Sequence, residues 1–460
     1  MPHRSDLAAL YRNHLDQLTQ YFDDAVERAG AAGTPLDGAV FHSGRVRLYH
    51  RDDEEIPFRP TPHYRRWIPP QGGPEHVVFA RPGRKPTVVR VLPVDFWFDT
   101  TPPAPSYWED AVELKDVQSF DEVPDALGLN GERIAYLGDS PEAAAELHIA
   151  ESLVEPETLI APLDWHRAVK TPYEITLTRL ACEAAAAGHL AAREQFLAGS
   201  TEREVHHQYL QAADRLESEM PYGTIIAFNE KTAILHYQHK RGDAAGTGHS
   251  CLVDAGGAFH GYAADITRTW AVEDAHPVFR EFIRELEATE RHLVGMIQPG
   301  RSFVDLHLEA HHRCIETLRR LGVLRCSTDE AQDLRLSRLF FPHGLGHHLG
   351  LQVHDVGGHQ TSPAGGCTPP PDEHVLRNTR TMEPGHLLTI EPGIYFIPLL
   401  LDSWRDGAHA SAFDWQLIDQ LIPLGGVRVE DDVLCTDSGF EDLTHELIEG
   451  RLAATLEPVH

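Results

Sequence analysis

Long apolar runs, paired cysteine motifs, clustered basic residues and internal repeats are all missing from this sequence. No stretch approaches the roughly 20 apolar residues needed to cross a bilayer. The first residues, Met1-Pro2-His3-Arg4-Ser5-Asp6, lead into a helical pattern rather than an apolar signal core. The six cysteines (Cys182, Cys251, Cys314, Cys326, Cys367 and Cys435) show no CxxC spacing and no dense framework. They read as reduced thiols, which suits a cytoplasmic chain. Bases number 40 against 70 acids, a formal charge of −30, and no Lys/Arg run supplies a basic face. Neither nucleic acid nor a membrane is therefore an expected partner, and the acidity reads as solubility.

What is present is the composition of a soluble globular protein, 42% hydrophobic and 24% charged. At 460 residues the chain is too long for one ordinary core, so two domains are expected. Apolar residues recur at helical spacing over 7–30 (Leu7, Leu10, Tyr11, Leu15, Leu18). Short β-type runs follow at 39–41, 77–79, 88–92 and 134–137, with Ser140-Pro141-Glu142 opening a helix. Residues 50–75 and 96–108 read as long loops. A boundary falls near Pro162–Lys170, giving an α/β domain over 1–165 and a second domain over 166–460. In the second, Thr171-Pro172-Tyr173-Glu174 and Thr201-Glu202-Arg203-Glu204 carry capping-box signals for two helices. Further helices are expected over 278–297 and 303–321, and β-type runs over 223–237, 251–270, 387–396 and 426–435. Helices and antiparallel hairpins interleave without βαβ alternation, so the fold class is α+β.

Four segments carry candidate chemistry. In Ser250-Cys251-Leu252-Val253-Asp254 … Asp265-Ile266-Thr267-Arg268-Thr269-Trp270, strand composition flanks turn composition. A two-residue turn at Phe259-His260 would set Asp254 opposite Asp265, with Cβ atoms about 5 Å apart. Like charges so placed repel, and a pair of divalent ions about 3.5–4 Å apart would resolve the conflict. The alternative is one exposed aspartate and one capping a turn. Phe341-Pro342-His343-Gly344-Leu345-Gly346-His347-His348 continues to Val353-His354-Asp355, placing four histidines in twelve residues among helix-breaking glycines. This is neither a helical HExxH motif nor a dinucleotide loop. It looks like a loop shaped around a site, in which some histidines, such as His348, only pack. In Thr389-Ile390-Glu391-Pro392-Gly393 and Gly426-Val427-Arg428-Val429-Glu430-Asp431, a carboxylate interrupts an apolar β-type run. Arg428 and Glu430, two apart, would share a strand face, letting the guanidinium hold a neighbouring carboxylate. Singly, each glutamate also fits an edge strand facing solvent.

Taken in order, Leu-Val-Asp-Ala-Gly, Ala-Asp-Ile-Thr-Arg-Thr, His-Gly-Leu-Gly-His, Val-His-Asp, Ile-Glu-Pro-Gly and Arg-Val-Glu-Asp resemble the pita-bread metallopeptidases. These are methionyl aminopeptidase, aminopeptidase P, creatinase and prolidase. The resemblance spans roughly 165–445 and implies five metal ligands: Asp254, Asp265, His347, Glu391 and Glu430. Within the family, Phe41-His42-Ser43-Gly44, Asp52-Asp53 with Pro57-Phe58, Pro93-Val94-Asp95-Phe96-Trp97 and Pro221-Tyr222-Gly223 look like the bacterial prolidases. The organophosphorus acid anhydrolases belong to that branch. The resemblance thus implies a pita-bread catalytic domain behind a creatinase-like amino-terminal domain.

It also implies a chemistry, hydrolysis of Xaa-Pro dipeptides, with organophosphate triesters as a side activity. Two divalent ions lower the pKa of a shared water and polarise the scissile carbonyl. Oxygen donors with one imidazole suit Mn²⁺ or Co²⁺, with Zn²⁺ a further candidate. Glu391 would also take a proton, while His343 and His354 steady the oxyanion or pass a proton to the proline nitrogen. Arg377 matches the arginine that holds the proline carboxylate, though a solvated loop arginine is the alternative. Asp53 is a candidate for the α-amino group, contributed from a neighbouring subunit of a homodimer. His236 and Tyr222 would line the side-chain pockets. The rival readings are an aminopeptidase P-like enzyme acting on longer peptides, and a binding protein whose peptidase fold has lost its metals.

Overall fold

The opening helix forms where the apolar period places Tyr11, Leu15, Leu18, Phe22, Ala25 and Ala29 on one face, and it runs over Leu7–Ala31. In this computed structural model the described residues are 7–68, 72–97, 106–129, 131–243, 248–371 and 375–456. The six amino-terminal residues, and parts of the two expected loops (69–71 and 98–105), lie outside them. The chain divides into two compact units. One comprises the chain up to Leu177 with Phe259–Gly261 and Gln360–Cys367, and the other comprises Thr178–Ala258, Tyr262–His359 and the chain from Thr368.

The first unit is built on a five-stranded mixed sheet. Its order is Glu113–Val117, Thr87–Val91, Val77–Ala80, Gly38–His42, Ile134–Leu137. Four of these strands arise from the β-branched runs in the sequence, and all four are buried throughout (Gly38–His42, Val77–Ala80, Thr87–Val91, Ile134–Leu137). Glu113–Val117 has no apolar run to announce it and pairs in parallel at the edge. Phe22 of the opening helix packs on Phe41 of the sheet, ring centroids 6.0 Å apart. Around Pro162 the chain is helical over Glu157–Ala168, with the proline inside the helix. The capping box expected at Thr171 forms and holds a buried ion pair. Glu174 accepts from the Thr171 backbone N–H at 2.9 Å, and Arg66 Nε reaches its carboxylate at 3.2 Å.

In the second unit, helices and small antiparallel sheets alternate along the chain. The helices Pro172–Leu197 and Glu202–Ala213 precede a sheet ordered Thr267–Ala271, Ser250–Asp254, Ile225–Phe228. After the helices Pro277–Val294 and Phe303–Arg320 comes a second sheet, Leu387–Ile390, Asp431–Thr436, Gly439–Asp442. A pair of short strands, Gly393–Tyr395 and Gly426–Arg428, lies between them in sequence. A bridge between Thr267 and Glu430 joins the two larger sheets, with Glu430 N donating to Thr267 O at 3.0 Å. The core fills between sheet and helices with Phe279, Phe282, Phe303, Leu306, Leu388, Ile390 and Val433, each essentially inaccessible to water. The six cysteines are unpaired. Among the described residues, no helix is long and apolar enough to cross a membrane.

Candidate metal centre

The aspartate hairpin forms with a register different from the one the sequence suggests. Ser250–Asp254 pairs with Thr267–Ala271 so that Asp254 faces Thr267, not Asp265. The turn sits at His260-Gly261 instead of Phe259-His260, both residues having positive φ (52° and 87°). A two-residue hairpin turn of type I′ needs φ above zero at both central positions, which glycine accepts and phenylalanine resists. The slip amounts to two residues. Side chains alternate with period two, so Asp265 stays on the face of Asp254, as a diagonal rather than a direct neighbour. The Tyr222 hydroxyl lies between them, 2.9 Å from Asp254 Oδ1 and 2.5 Å from Asp265 Oδ1.

The second sheet contributes the glutamates. Thr267 Oγ1 donates to Glu430 Oε2 at 2.6 Å. Arg428, two residues before Glu430 and so on the same side, forks. Its Nη2 donates to Asp254 Oδ2 at 2.5 Å, its Nη1 to the Tyr395 hydroxyl at 2.7 Å and its Nε to Thr267 Oγ1 at 3.2 Å. The histidine loop is pinned to the strand Leu387–Ile390. Thr389 N donates to His347 O at 3.0 Å, and Glu391 N to Leu345 O at 2.8 Å. Gly346 permits this approach, since a Cβ there would lie 2.0 Å from Thr389 O. His347 Nε2 consequently stands 3.5 Å from Asp265 Oδ2 and 3.8 Å from Glu391 Oε1.

The remaining candidates surround this group. His343 Nδ1 lies 2.8 Å from Gly344 O, a contact only a protonated nitrogen can make. Its Nε2 then accepts from the Tyr395 hydroxyl at 2.9 Å, extending the line Arg428–Tyr395–His343. Burial, then the Arg428 charge, pushes the His343 pKa down to about 3, which keeps the ring neutral. His354 lies ring to ring with His347 (4.5 Å, 83°). Desolvation, followed by the His347 and Arg377 charges, brings its pKa down to about 4. Arg377 and His236 are exposed, and the Arg377 guanidinium is close enough to disfavour the protonated form of His354. Asp53 is exposed in the first unit, its own N–H donating to Asp52. His348 is fully buried, its ring 4.7 Å from that of His386. Two residues that sequence reasoning passed over complete the group. Thr267 had a signal, standing two places beyond Asp265 on a strand; Tyr395, distant in sequence from both of its partners, had none.

Charge is the feature that decides what this arrangement can hold. Asp265, His347 and Glu430 are 6%, 3% and 2% exposed, and one potential ligand atom from each lies within 4.8 Å of the others. Burial and the neighbouring carboxylates push Glu430 far above the ordinary carboxylate range. Burial brings Glu391 up to about 7 against the opposing pull of His347 and Arg428. Asp254 is also raised by burial, despite Arg428. Four carboxylates thus crowd where water cannot neutralise them, and Arg428 supplies one compensating charge. The donor set fits divalent cations, being oxygen-rich with a single imidazole.

A buried set of this kind, carried on the paired sheets of the second unit, is that of a metal-dependent hydrolase. The family model described as metallopeptidase family M24 matches residues 176–437, and one described as the Xaa-Pro dipeptidase N-terminal domain matches residues 9–165. A Shewanella amazonensis protein named Xaa-Pro dipeptidase is 39% identical over 96% of this chain and 99% of its own length. Another of that name, from Stenotrophomonas maltophilia, is 37% identical over 96% and 98%. Among solved structures, aminopeptidase P from E. coli in its low-pH form superposes with a TM-score of 0.72 at 23% identity, covering 97% of this chain and 99% of that one. The last likeness establishes the fold alone, a pita-bread domain behind an amino-terminal domain. The chain belongs to metallopeptidase family M24.

Proposed function

We propose that this chain hydrolyses Xaa-Pro dipeptides at a pair of divalent cations held by Asp254, Asp265, His347, Glu391 and Glu430. The observation that carries the substrate class is the near full-length match, in both directions, to relatives named Xaa-Pro dipeptidase. Mn²⁺ is the favoured ion, ahead of Co²⁺ and Zn²⁺. When bound, the cations supply an acidic water near neutral pH and a Lewis acid for the scissile carbonyl. Glu391 accepts a proton at its carboxylate. His354, neutral at pH 7, offers an N–H to the developing oxyanion, whereas both ring nitrogens of His343 are engaged and orient Tyr395. Arg428 holds Asp254 in position. Arg377 receives the proline carboxylate, Asp53 the free α-amino group, and His236 and Tyr222 border the side-chain pockets.

In this reading residues 1–165 form the amino-terminal domain and 166–460 the catalytic one. The protein is cytoplasmic and a homodimer, with Asp53 acting from the neighbouring subunit. Triester hydrolysis would be a minor activity of the same centre. Comparing Leu-Pro with Leu-Pro-Pro tests the choice. Faster cleavage of the dipeptide is expected, and preference for the tripeptide would establish the aminopeptidase P-like alternative. Mixing inactive Asp265→Asn with Asp53→Ala protein should restore turnover if Asp53 acts across the dimer, and no restoration would remove that assignment.

A further inference from the structure

Between the short strands Tyr262–Ala263 and Thr267–Ala271, the chain that carries Asp265 leaves the ladder. Its neighbours there still find backbone partners: Ala264 N donates to Gly257 O at 2.9 Å, and Ala255 N to Ile266 O at 3.0 Å. A buried amide left without an acceptor is costly. The Asp265 N–H meets that need with a side chain 167 residues onward, the carboxylate of Asp432, whose Oδ2 and Oδ1 lie 3.0 and 3.3 Å away.

Asp432 is fully buried on the strand Asp431–Thr436, two residues after Glu430 and so on the same side of the chain. Its backbone is anchored, N donating to Thr444 Oγ1 at 3.1 Å and O accepting from Leu443 N at 2.9 Å. The other donor to its carboxylate is the thiol of Cys182, buried on the helix Pro172–Leu197, with Sγ 3.4 Å from Oδ2. Burial pushes the thiol pKa up, so the sulfur keeps the proton it donates. Among the described residues no Lys, Arg or His forms an ion pair with Asp432. A carboxylate held in the interior to balance charge would sit on a cation, because burying it is costly. This one sits on an amide and a thiol, and its effect is directional.

We propose that Asp432, steadied by Cys182, is a positioning residue that fixes the backbone at Asp265 and so aims the Asp265 carboxylate at the cations. The inference rests on the reading of Asp265 as a metal ligand. At its outer end that carboxylate is already constrained, since the Tyr222 hydroxyl lies 2.5 Å from Oδ1 and His347 Nε2 3.5 Å from Oδ2. Asp432 supplies the constraint at the main-chain end, where no strand partner does. Groups that orient a metal ligand in this way govern affinity without touching the ion.

The test titrates chelator-stripped, full-length protein with Mn²⁺ in a calorimeter, well below its unfolding temperature, so that affinity is read apart from stability. Asp432→Ala leaves the Asp265 N–H without its acceptor and should weaken Mn²⁺ binding by about 10–100-fold, with the ion count at saturation unchanged. Asp432→Asn keeps an oxygen for that N–H and should recover most of the affinity. Cys182→Ala acts one step further back and should weaken binding by up to about tenfold, whereas Cys182→Ser keeps a donor and should bind like wild type. A merely structural pair would lower the melting temperature of the metal-free variants and leave Mn²⁺ affinity untouched; that result in Asp432→Ala overturns the proposal. Should Asp432→Ala fail to fold, the cysteine variants decide: a loss in Cys182→Ala that Cys182→Ser restores supports the proposal, and wild-type affinity in Cys182→Ala overturns it. If Asp265→Asn retains every ion, it is the reading of the metal centre that fails, whatever the Asp432 variants show.

Discussion

Asp265 accepts from the Tyr222 hydroxyl, stands 3.5 Å from the His347 ring and donates its backbone N–H to the Asp432 carboxylate at 3.0 Å. Asp265→Asn removes a charge but little volume. It should lower Mn²⁺ stoichiometry and turnover together, by about 100-fold or more in kcat; full activity with a full metal complement would remove Asp265 from the ligand set. Arg428 is a subtler case, because its fork serves Asp254, Tyr395 and Thr267 at once. A lysine there can serve only one of them, so Arg428→Lys should weaken Mn²⁺ affinity or activity by roughly 10–100-fold with the ion count at saturation unchanged. Wild-type titration curves would show that the fork is dispensable. These charged residues were legible in sequence because a carboxylate or a histidine cluster inside an apolar run is costly and therefore conspicuous. Tyr395 was not, since a tyrosine in such a run is ordinary, and only its place between His343 and Arg428 gives it a task.

Elements were legible where periodicity was strong. The helix Leu7–Ala31 and the helices opened by Thr171 and Thr201 follow from apolar spacing and capping boxes. Short helices such as Thr328–Asp333 and Trp415–Leu421 carry too few turns to show a period. The hairpin shows the limit most clearly: its two strands could be read, but its register depended on which residues could adopt positive φ. Gly346 exposes a dependence of the same kind, being the closest approach between the histidine loop and the strand below it. Gly346→Ala should destabilise the protein by about 1–3 kcal/mol and weaken metal binding, because its Cβ must displace Thr389 O. Thermal unfolding with and without chelator measures both effects, and unchanged midpoints would mean that the loop gives way freely.

For the whole molecule, acid stability should depend on Glu174 more than on the large net charge. Burial disfavours its carboxylate, but the Arg66 and His14 charges prevail and hold the pKa at about 2, below the ordinary 4.5. A depressed folded pKa contributes stability that is complete above about pH 4.5 and disappears as pH falls towards 2, roughly 3 kcal/mol in all. Glu174→Gln should accordingly be less stable than wild type at pH 6, with the gap closing in that acid window. A constant gap from pH 2 to 6 in denaturant titrations would exclude the linkage.

Domain organisation shows the same division between what the chain announces and what folding decides. Proline and capping signals mark Pro162–Lys170, whereas the compact units part at Leu177, inside the helix Pro172–Leu197. By itself the sequence determined the α+β class, which follows from local periodicity, and marked the carboxylates and histidines of the candidate site by the cost of burying charge and by resemblance to the family. Only the tertiary structure decided the Arg428–Tyr395–His343 line and the pairing of Arg268 with Asp431. Each of these joins segments far apart in sequence, and no local propensity encodes which distant backbone will come within reach.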